Sequence, residues 1–528
     1  MVTDAIADHI ALWVAVGGAC LGLLGVGPRP INSLTFIGAS SSLLASLWLL
    51  IDASAAGGVL RFGGSGPAGV IFQVSPASAT LLAVSAAIAA LHFSATLAAE
   101  QSSRAANRWQ VLLPASVNLA LVVADADAIA IAYLGATLAF NAFVRDRPWP
   151  AVIRTLGALL AVAGILIHSG RIILGAAGAT PWSHSLNMTN VLLTLGALMP
   201  VIAWRPMSSD QRQNNITIAV PYLLSAALVL HFPPTSGGSG ALLGPIGAAI
   251  FAVTWGFVAL RSSVTDEAST ALAACLHALV LLQWFPSRAN TAADLATFGA
   301  AACTVGVWRV VSETSVSTSL RRVAIISVGA ALVLLAFRVC DQLIHSKTPR
   351  VSMFPGPAPS WVAIGLGITS CIALGAAVGV LIRLSSRLPS PELNRSFAIE
   401  ALGFGILSAA AMSFSCAHSL RAIAEGRLSS IFALLLALGS IVSGVFIGRR
   451  ASLAPQRRPI LPARPGLFAV LIRGLEFEPL LSQLLQVVGP RRSISRARLP
   501  SLAVCAFLVA TALAAVLVLT TSKSVASR

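Results

Sequence analysis

Apolar segments long enough to cross a bilayer recur from one end of this 528-residue chain to the other. A helix rising about 1.5 Å per residue needs about 20 apolar residues to span a ~30 Å hydrocarbon core. Such segments fall at 10–27, 33–51, 77–97, 109–123, 127–143, 152–175, 188–204, 216–231, 241–260, 269–285, 294–312, 321–340, 360–384, 398–418, 430–448 and 500–520. No water reaches the core of a bilayer, so each backbone N–H and C=O must find its partner inside the protein, and the segments are expected to be helices. A transmembrane β-barrel would need strands of about ten residues with alternating apolar and polar side chains. That alternation is missing. With 56% hydrophobic and only 10% charged residues, the chain also lacks the polar surface that a soluble protein of its length requires. The expected fold is all-α, a polytopic transmembrane helix bundle of about 14–16 spans.

Residues between the segments set the organisation. Connections are short and rich in Pro, Gly and Arg, as in Arg145-Asp-Arg-Pro148 and Phe232-Pro-Pro-Thr-Ser-Gly-Gly238. Asp125 and Asp127 interrupt one long apolar run and divide it into 109–123 and 127–143. Residues 1–448 are read as the transmembrane helix bundle, 449–499 as a basic, partly amphipathic surface segment, and 500–528 as the final transmembrane helix and a short tail. The middle segment holds Arg449, Arg450, Arg457, Arg458, Arg464, Arg473, Arg491, Arg492, Arg496 and Arg498 against Glu476 and Glu478 alone. Within it Phe468, Leu471, Leu475, Leu480 and Leu484 recur at helical spacing. Two readings stand level there: an amphipathic helix on the membrane or a partner, and a basic loop with an incidental helix. The first apolar segment follows Asp4 and Asp8 instead of a basic region, so it is read as a retained helix and not a cleaved signal.

On a soluble protein the net charge of +17 would suggest a nucleic-acid partner. Here arginines between apolar segments carry almost all of it, since the only lysines are Lys347 and Lys523. Anionic headgroups and the positive-inside rule favour that distribution. The expected surroundings are therefore the lipid bilayer, with no nucleic acid, and the expected location is the cell inner membrane, crossed many times. None of the seven cysteines forms a CxxC or sits at ligand spacing from a histidine. Neither a disulfide framework nor a metal site is expected. Phosphate-binding, dinucleotide, zinc-protease, nucleophile-elbow and haem-attachment motifs are also missing. No cofactor and no catalytic site of the chain's own are implied.

An ionisable residue inside a membrane is costly to bury, and so is a functional candidate by default. Arg338 lies near the end of 321–340, and Asp341 is a helical neighbour able to neutralise it. The pair reads first as a local ion pair and second as part of an ion pathway. Glu400 opens 398–418, facing headgroups or serving as a buried proton site. His277 within 269–285 and His418 closing 398–418 can relay protons near neutral pH, although a lone helical histidine is more often just hydrogen-bonded in a bundle. Asp294 and Glu313 bracket 294–312 as interfacial flanks. The ion-pathway candidates are thus His277, Asp294, Arg338, Asp341 and Glu400.

Several motifs resemble those of one membrane family. Phe72-Gln-Val-Ser-Pro-Ala-Ser78 leads into a helix that ends Leu91-His-Phe-Ser94, and Ala124-Asp125 is followed by Ile131-Ala-Tyr-Leu-Gly135. Both resemble the antiporter-like subunits of respiratory complex I (the NuoL type), a superfamily that includes Mrp antiporter subunits and the DabB subunit of inorganic-carbon transporters. Arg145-Asp-Arg-Pro148 is similar to the loop of DabB-like members. Leu195-Gly-Ala197 with Trp204-Arg-Pro206 is similar to the segment that carries a family lysine and a Trp-Leu-Pro turn. Arg473-Gly-Leu-Glu-Phe-Glu-Pro-Leu-Leu481 resembles the stretch between the last helices of NuoL-type chains. The resemblance implies a helix bundle working inside a multi-subunit, proton-linked complex beside other membrane subunits. It leaves open membership of an NADH–quinone oxidoreductase-like complex.

It also implies a proton relay of one glutamate and several membrane lysines, and here this chain departs. The glutamate's place falls at Thr137, or at Ala136 if the register slips by one, and the first lysine's falls at about Pro200. A later histidine and lysine fall near Phe298 and Ala302, and of a following Asp-Ile-Lys-Arg motif only Asp266 is kept. Arginine cannot substitute, because it does not release a proton at any accessible pH. Two expectations follow: a subunit that keeps the framework without conducting, or one that conducts through another set such as His277, Asp294 and Glu400. A stand-alone secondary transporter is the alternative, and would show inverted repeats with broken helices.

Overall fold

The computed structural model describes residues 2–453, apart from 26–27, 57, 64–69, 99–107, 145–147, 170–181, 203–215, 233–242, 262–264, 285–291, 313–317, 346–359 and 387–394. The chain opens with α1 (Val2–Gly17), a 3₁₀ segment (Gly18–Leu24), α2 (Pro28–Ala55), a hairpin of β1 (Leu60–Phe62) and β2 (Phe72–Val74), and α3 (Pro76–Ala98). Next come α4 (Arg108–Val122), α5 (Ala126–Val144), α6 (Pro148–His168), α7 (Trp182–Ile202), α8 (Ile216–His231) and α9 (Leu243–Arg261). The last described helices are α10 (Thr265–Trp284), α11 (Ala292–Ser312), α12 (Thr318–His345), α13 (Ser360–Ser386), α14 (Arg395–Ala424) and α15 (Leu428–Leu453). Among the described residues, each expected segment from 10–27 to 430–448 is helical over most of its length. Seven are long and apolar enough to cross a membrane alone, and eight more carry shorter apolar runs. The chain is a multi-pass helical membrane protein. The expected span 500–520 and most of 449–499 lie outside the described residues, while α15 continues past residue 448 through Arg449 and Arg450 to Leu453.

Polar residues at the joints explain where helices stop. Asp125 divides α4 from α5 because both its backbone and its side chain are engaged. Its carbonyl accepts the Ile129 N–H at 2.8 Å, starting α5. Its carboxylate accepts the Ile71 N–H at 2.9 Å, and Ala124 N–H returns a bond to the Ile71 carbonyl at 2.9 Å. The joint is thereby tied to the β-hairpin, whose strands pair Leu60 with Val74 and Phe62 with Phe72. The α14–α15 turn closes with Gly426 at φ +76°, donating to Ile423, while Arg427 donates to Ala422. That is the two-bond glycine cap that satisfies the last carbonyls of a helix.

Burial divides the helices into an axis and a rim. Every side chain of α10 from Ser269 to Leu282 is buried, as expected of a helix apolar all round. α15 exposes Leu428, Phe432, Leu435, Val442 and Phe446 on one side, a face suited to lipid. Its other side carries Gly444 and Gly448 against Gly375 and Gly379 of α13. A Cβ at Gly375 would lie 2.5 Å from the Ile441 carbonyl oxygen, and one at Gly379 equally close to that of Val445. The paired small residues let two backbones touch, which is how apolar helices associate where the hydrophobic effect gives no help.

Candidate functional site

The site starts from a proline. Pro221 lies inside α8 and has no N–H to give to the turn before it, which loosens the helix there. One turn on, the Ser225 hydroxyl lies 2.9 Å from the Pro221 carbonyl, 3.4 Å from the Ala197 carbonyl of α7 and 3.0 Å from Nε2 of His277 on α10. Tyr222 of the same helix donates to the Ala273 carbonyl of α10 at 2.6 Å. Its ring meets the imidazole edge-on, with centroids 4.6 Å apart. Phe298 of α11 closes another side at 6.3 Å. His277 is wholly buried, and its Nδ1 has no hydrogen-bond partner among the described residues. A serine in a helix gives its proton to the preceding turn. With the Ser225 proton on Pro221, Nε2–H is the donor and Nδ1 keeps a bare lone pair.

A second proline shapes α7. Pro200 leaves the Gly196 carbonyl without its helical N–H, and the Tyr133 hydroxyl of α5 approaches that oxygen at 3.4 Å. Gly196 itself abuts Ala161 of α6, where a Cβ would come within 2.7 Å of the Ala161 nitrogen. Thr137 stands one turn beyond Tyr133, buried, and returns its hydroxyl proton to the Tyr133 carbonyl at 3.0 Å. Phe298 and Ala302 are buried in α11. Thr137, Pro200, Phe298 and Ala302 are therefore all buried positions whose side chains carry no ionisable group.

Arg338 and Asp341 fall within α12, which runs on to His345 instead of ending at 340. Asp341 is buried. Ser419 of α14 bridges the two, donating to Asp341 Oδ2 at 2.6 Å and accepting from Arg338 Nη1 at 3.2 Å. The pair thus faces a neighbouring helix. Asp294 lies in the first turn of α11 and Glu400 in the second turn of α14. The structure therefore brings His277 together with Phe298 and, through Ser225, with the Ala197 carbonyl of α7, while Arg338 and Asp341 meet separately at Ser419.

Two further interior polar contacts also escaped the sequence reading. Arg154 of α6 is buried, bonds through Nε to Asn141 Oδ1 of α5 at 2.6 Å, and lies 5.0 Å from the Phe140 ring centroid. An arginine inside the expected 152–175 span was the available signal. Thr304 of α11 and Ser408 of α14 bond at 2.7 Å, a pairing of ordinary residues that no local pattern marks.

The same arrangement of helices occurs in solved membrane complexes. A chain of the Mrp complex from Dietzia sp. DQ12-45-1b superposes with a TM-score of 0.56 at 13% identity, over 85% of this chain and 99% of that one. A chain of respiratory complex I from Thermus thermophilus with bound NADH gives a TM-score of 0.56 at 15% identity, over 82% and 99%. This chain has the antiporter-like fold. No protein-family model matches the sequence, and no curated protein sequence matches it. In the antiporter-like fold the bundle is thus retained almost end to end while identity is low. The Ser225–His277 contact is a feature of this chain's own residues.

Proposed function

We propose that the protein is an antiporter-like subunit of a multi-subunit, ion-coupled membrane complex of the kind built by complex I, Mrp or DabB-type chains. The observation that carries this reading is the fold: it matches 99% of the length of each of two chains that work inside such assemblies. The site agrees with it in one respect and modifies it in another. Polar groups of α5, α7, α8 and α10 meet in the interior, as a transport subunit requires. Thr137, Pro200, Phe298 and Ala302 replace the ionisable residues that the resemblance implies, so a lysine-based relay is not what this subunit contributes.

Purifying the full chain in mild detergent and identifying the membrane proteins that remain with it tests the proposal. The expected result is a stable hetero-oligomer. Redox subunits would point to the complex I branch, antiporter companions to the Mrp branch, and a large soluble zinc protein to the DabB branch. A chain that runs alone as a monomer would sink the reading.

A further inference from the structure

We infer that the end of the bundle where α12 begins and α15 stops is a binding surface for an anionic phospholipid. Its headgroup lies on arginines, and its acyl chains lie on apolar residues one turn further into the bilayer. The topology places the two helix ends together. α12 packs against α15 and runs the same way as α14, since Cys416 donates to Leu334 and Arg338 to Ser419. α14 turns back into α15 at Gly426, so α15 runs opposite to α12. The first turns of α12 and the last turns of α15 therefore share one end. α13 stops there too: a Cβ at Gly379 would lie 3.1 Å from the Arg449 backbone nitrogen, and Arg383 stands one turn further on.

Both helices carry the same short pattern on an exposed face. On α12 Arg322 is exposed, and Ile326, one turn further in, is 70% exposed. On α15 Phe446 is 65% exposed, and the exposed Arg449 and Arg450 follow one turn further out. Charge sits outermost and apolar side chains lie beneath it, the order a phospholipid presents from headgroup to acyl chain. Among the described residues no carboxylate pairs with Arg322 or Arg450. α12 also has no acid in its first turn, where the helix dipole already adds positive potential. The opposite end of the bundle is different. There Arg421 and Arg427 both pair with Glu425, at 3.2 and 3.1 Å. An arginine without a carboxylate offers its planar fork of N–H groups to phosphate oxygens. A free phosphate would use the arginines alone, and an acidic soluble protein would have no use for Ile326 and Phe446 set a turn inside the bilayer. A phospholipid uses both.

The test uses the full chain, with whatever membrane proteins remain bound to it, in mild detergent. Native mass spectrometry follows retention of added phosphatidylglycerol, with phosphatidylcholine and inorganic phosphate as comparisons. Phosphatidylglycerol should be retained in preference to phosphatidylcholine, and inorganic phosphate at equal concentration should not displace it. Arg322→Gln with Arg450→Gln should weaken the tightest phosphatidylglycerol site about thirtyfold, and each single change about fivefold. The melting temperature without added lipid should not move, because both side chains are exposed. Ile326→Ser with Phe446→Ser should also weaken retention, although no charge is lost. Arg421→Gln with Arg427→Gln, at the paired end, should leave the affinity unchanged. Equal retention of the two lipids, displacement by inorganic phosphate, or retention unchanged in either the glutamine or the serine pair would overturn the inference. So would an acidic protein lost from the glutamine pair while its lipid stays bound, since the surface would then belong to a protein.

Discussion

Where α8 meets α10, the buried polar groups are neutral: a serine, a tyrosine and a histidine whose Nδ1 has no partner among the described residues. Where α12 meets α14, they are a guanidinium and a carboxylate bridged by Ser419. The two nodes share a serine between helices and differ in what it serves. In the first the hydroxyl is divided among three acceptors or donors, so no single geometry is compulsory. In the second it contacts both charged side chains. A neutral node can rearrange at small cost, whereas breaking a buried charged pair strands an ion in a medium of low dielectric. The α12–α14 node is therefore the costlier of the two to disrupt.

The largest expected effect lies in the charged node. Asp341→Ala removes the buried carboxylate that shares Ser419 with the Arg338 guanidinium and should destabilise the protein by about 3–5 kcal/mol, read as a lower melting temperature in detergent and a lower folded yield. An unchanged melting temperature would show that Arg338 draws its stability from elsewhere, and the contrast would collapse. The paired replacement Arg338→Met with Asp341→Leu should recover most of the loss, because apolar residues of similar volume need no partner. Next in size is Ser419→Ala, which removes two hydrogen bonds to charged groups and should cost about 2 kcal/mol. A double-mutant cycle with Asp341→Ala checks it, since the coupled loss should be well below the sum of the two.

These nodes also mark where the sequence could be read and where it could not. The helices were legible because lipid imposes one rule on every span: about 20 apolar residues and an internally bonded backbone. Asp125 was legible as a break, though not as an anchor, since its partner Ile71 lies 54 residues away. His277 and the Arg338–Asp341 pair could be named because charge or titratability in an apolar helix stands out. Ser225 could not, because a serine in a membrane helix is unremarked until packing brings it against a residue 52 positions on. Arg154 was hidden for a different reason. Close to the start of an expected span it passes for an interfacial flank, and only the α5–α6 packing makes it an interior residue. The Gly375/Gly379 and Gly444/Gly448 pairs carry a spacing that can be read directly, but which helices they join is fixed by tertiary packing.

The smallest expected effect on stability belongs to the neutral node, and it separates the two most sharply. His277→Leu removes the Ser225 contact, worth about 1 kcal/mol. It also removes the bare Nδ1, whose burial costs about the same or more, and Leu refills an apolar interior. Ser225 keeps its own proton on the Pro221 carbonyl, so no donor is stranded. The melting temperature should therefore stay within a degree or two of wild type, or rise (about 1 kcal/mol moves it ~2–4 °C at about 200 residues and less in a longer chain). A large drop would mean that the imidazole holds α8 against α10 as a structural clamp, and the difference between the two nodes would be one of degree. An unchanged or higher melting temperature would leave a buried histidine that the fold does not need, and such a residue is retained for something other than stability.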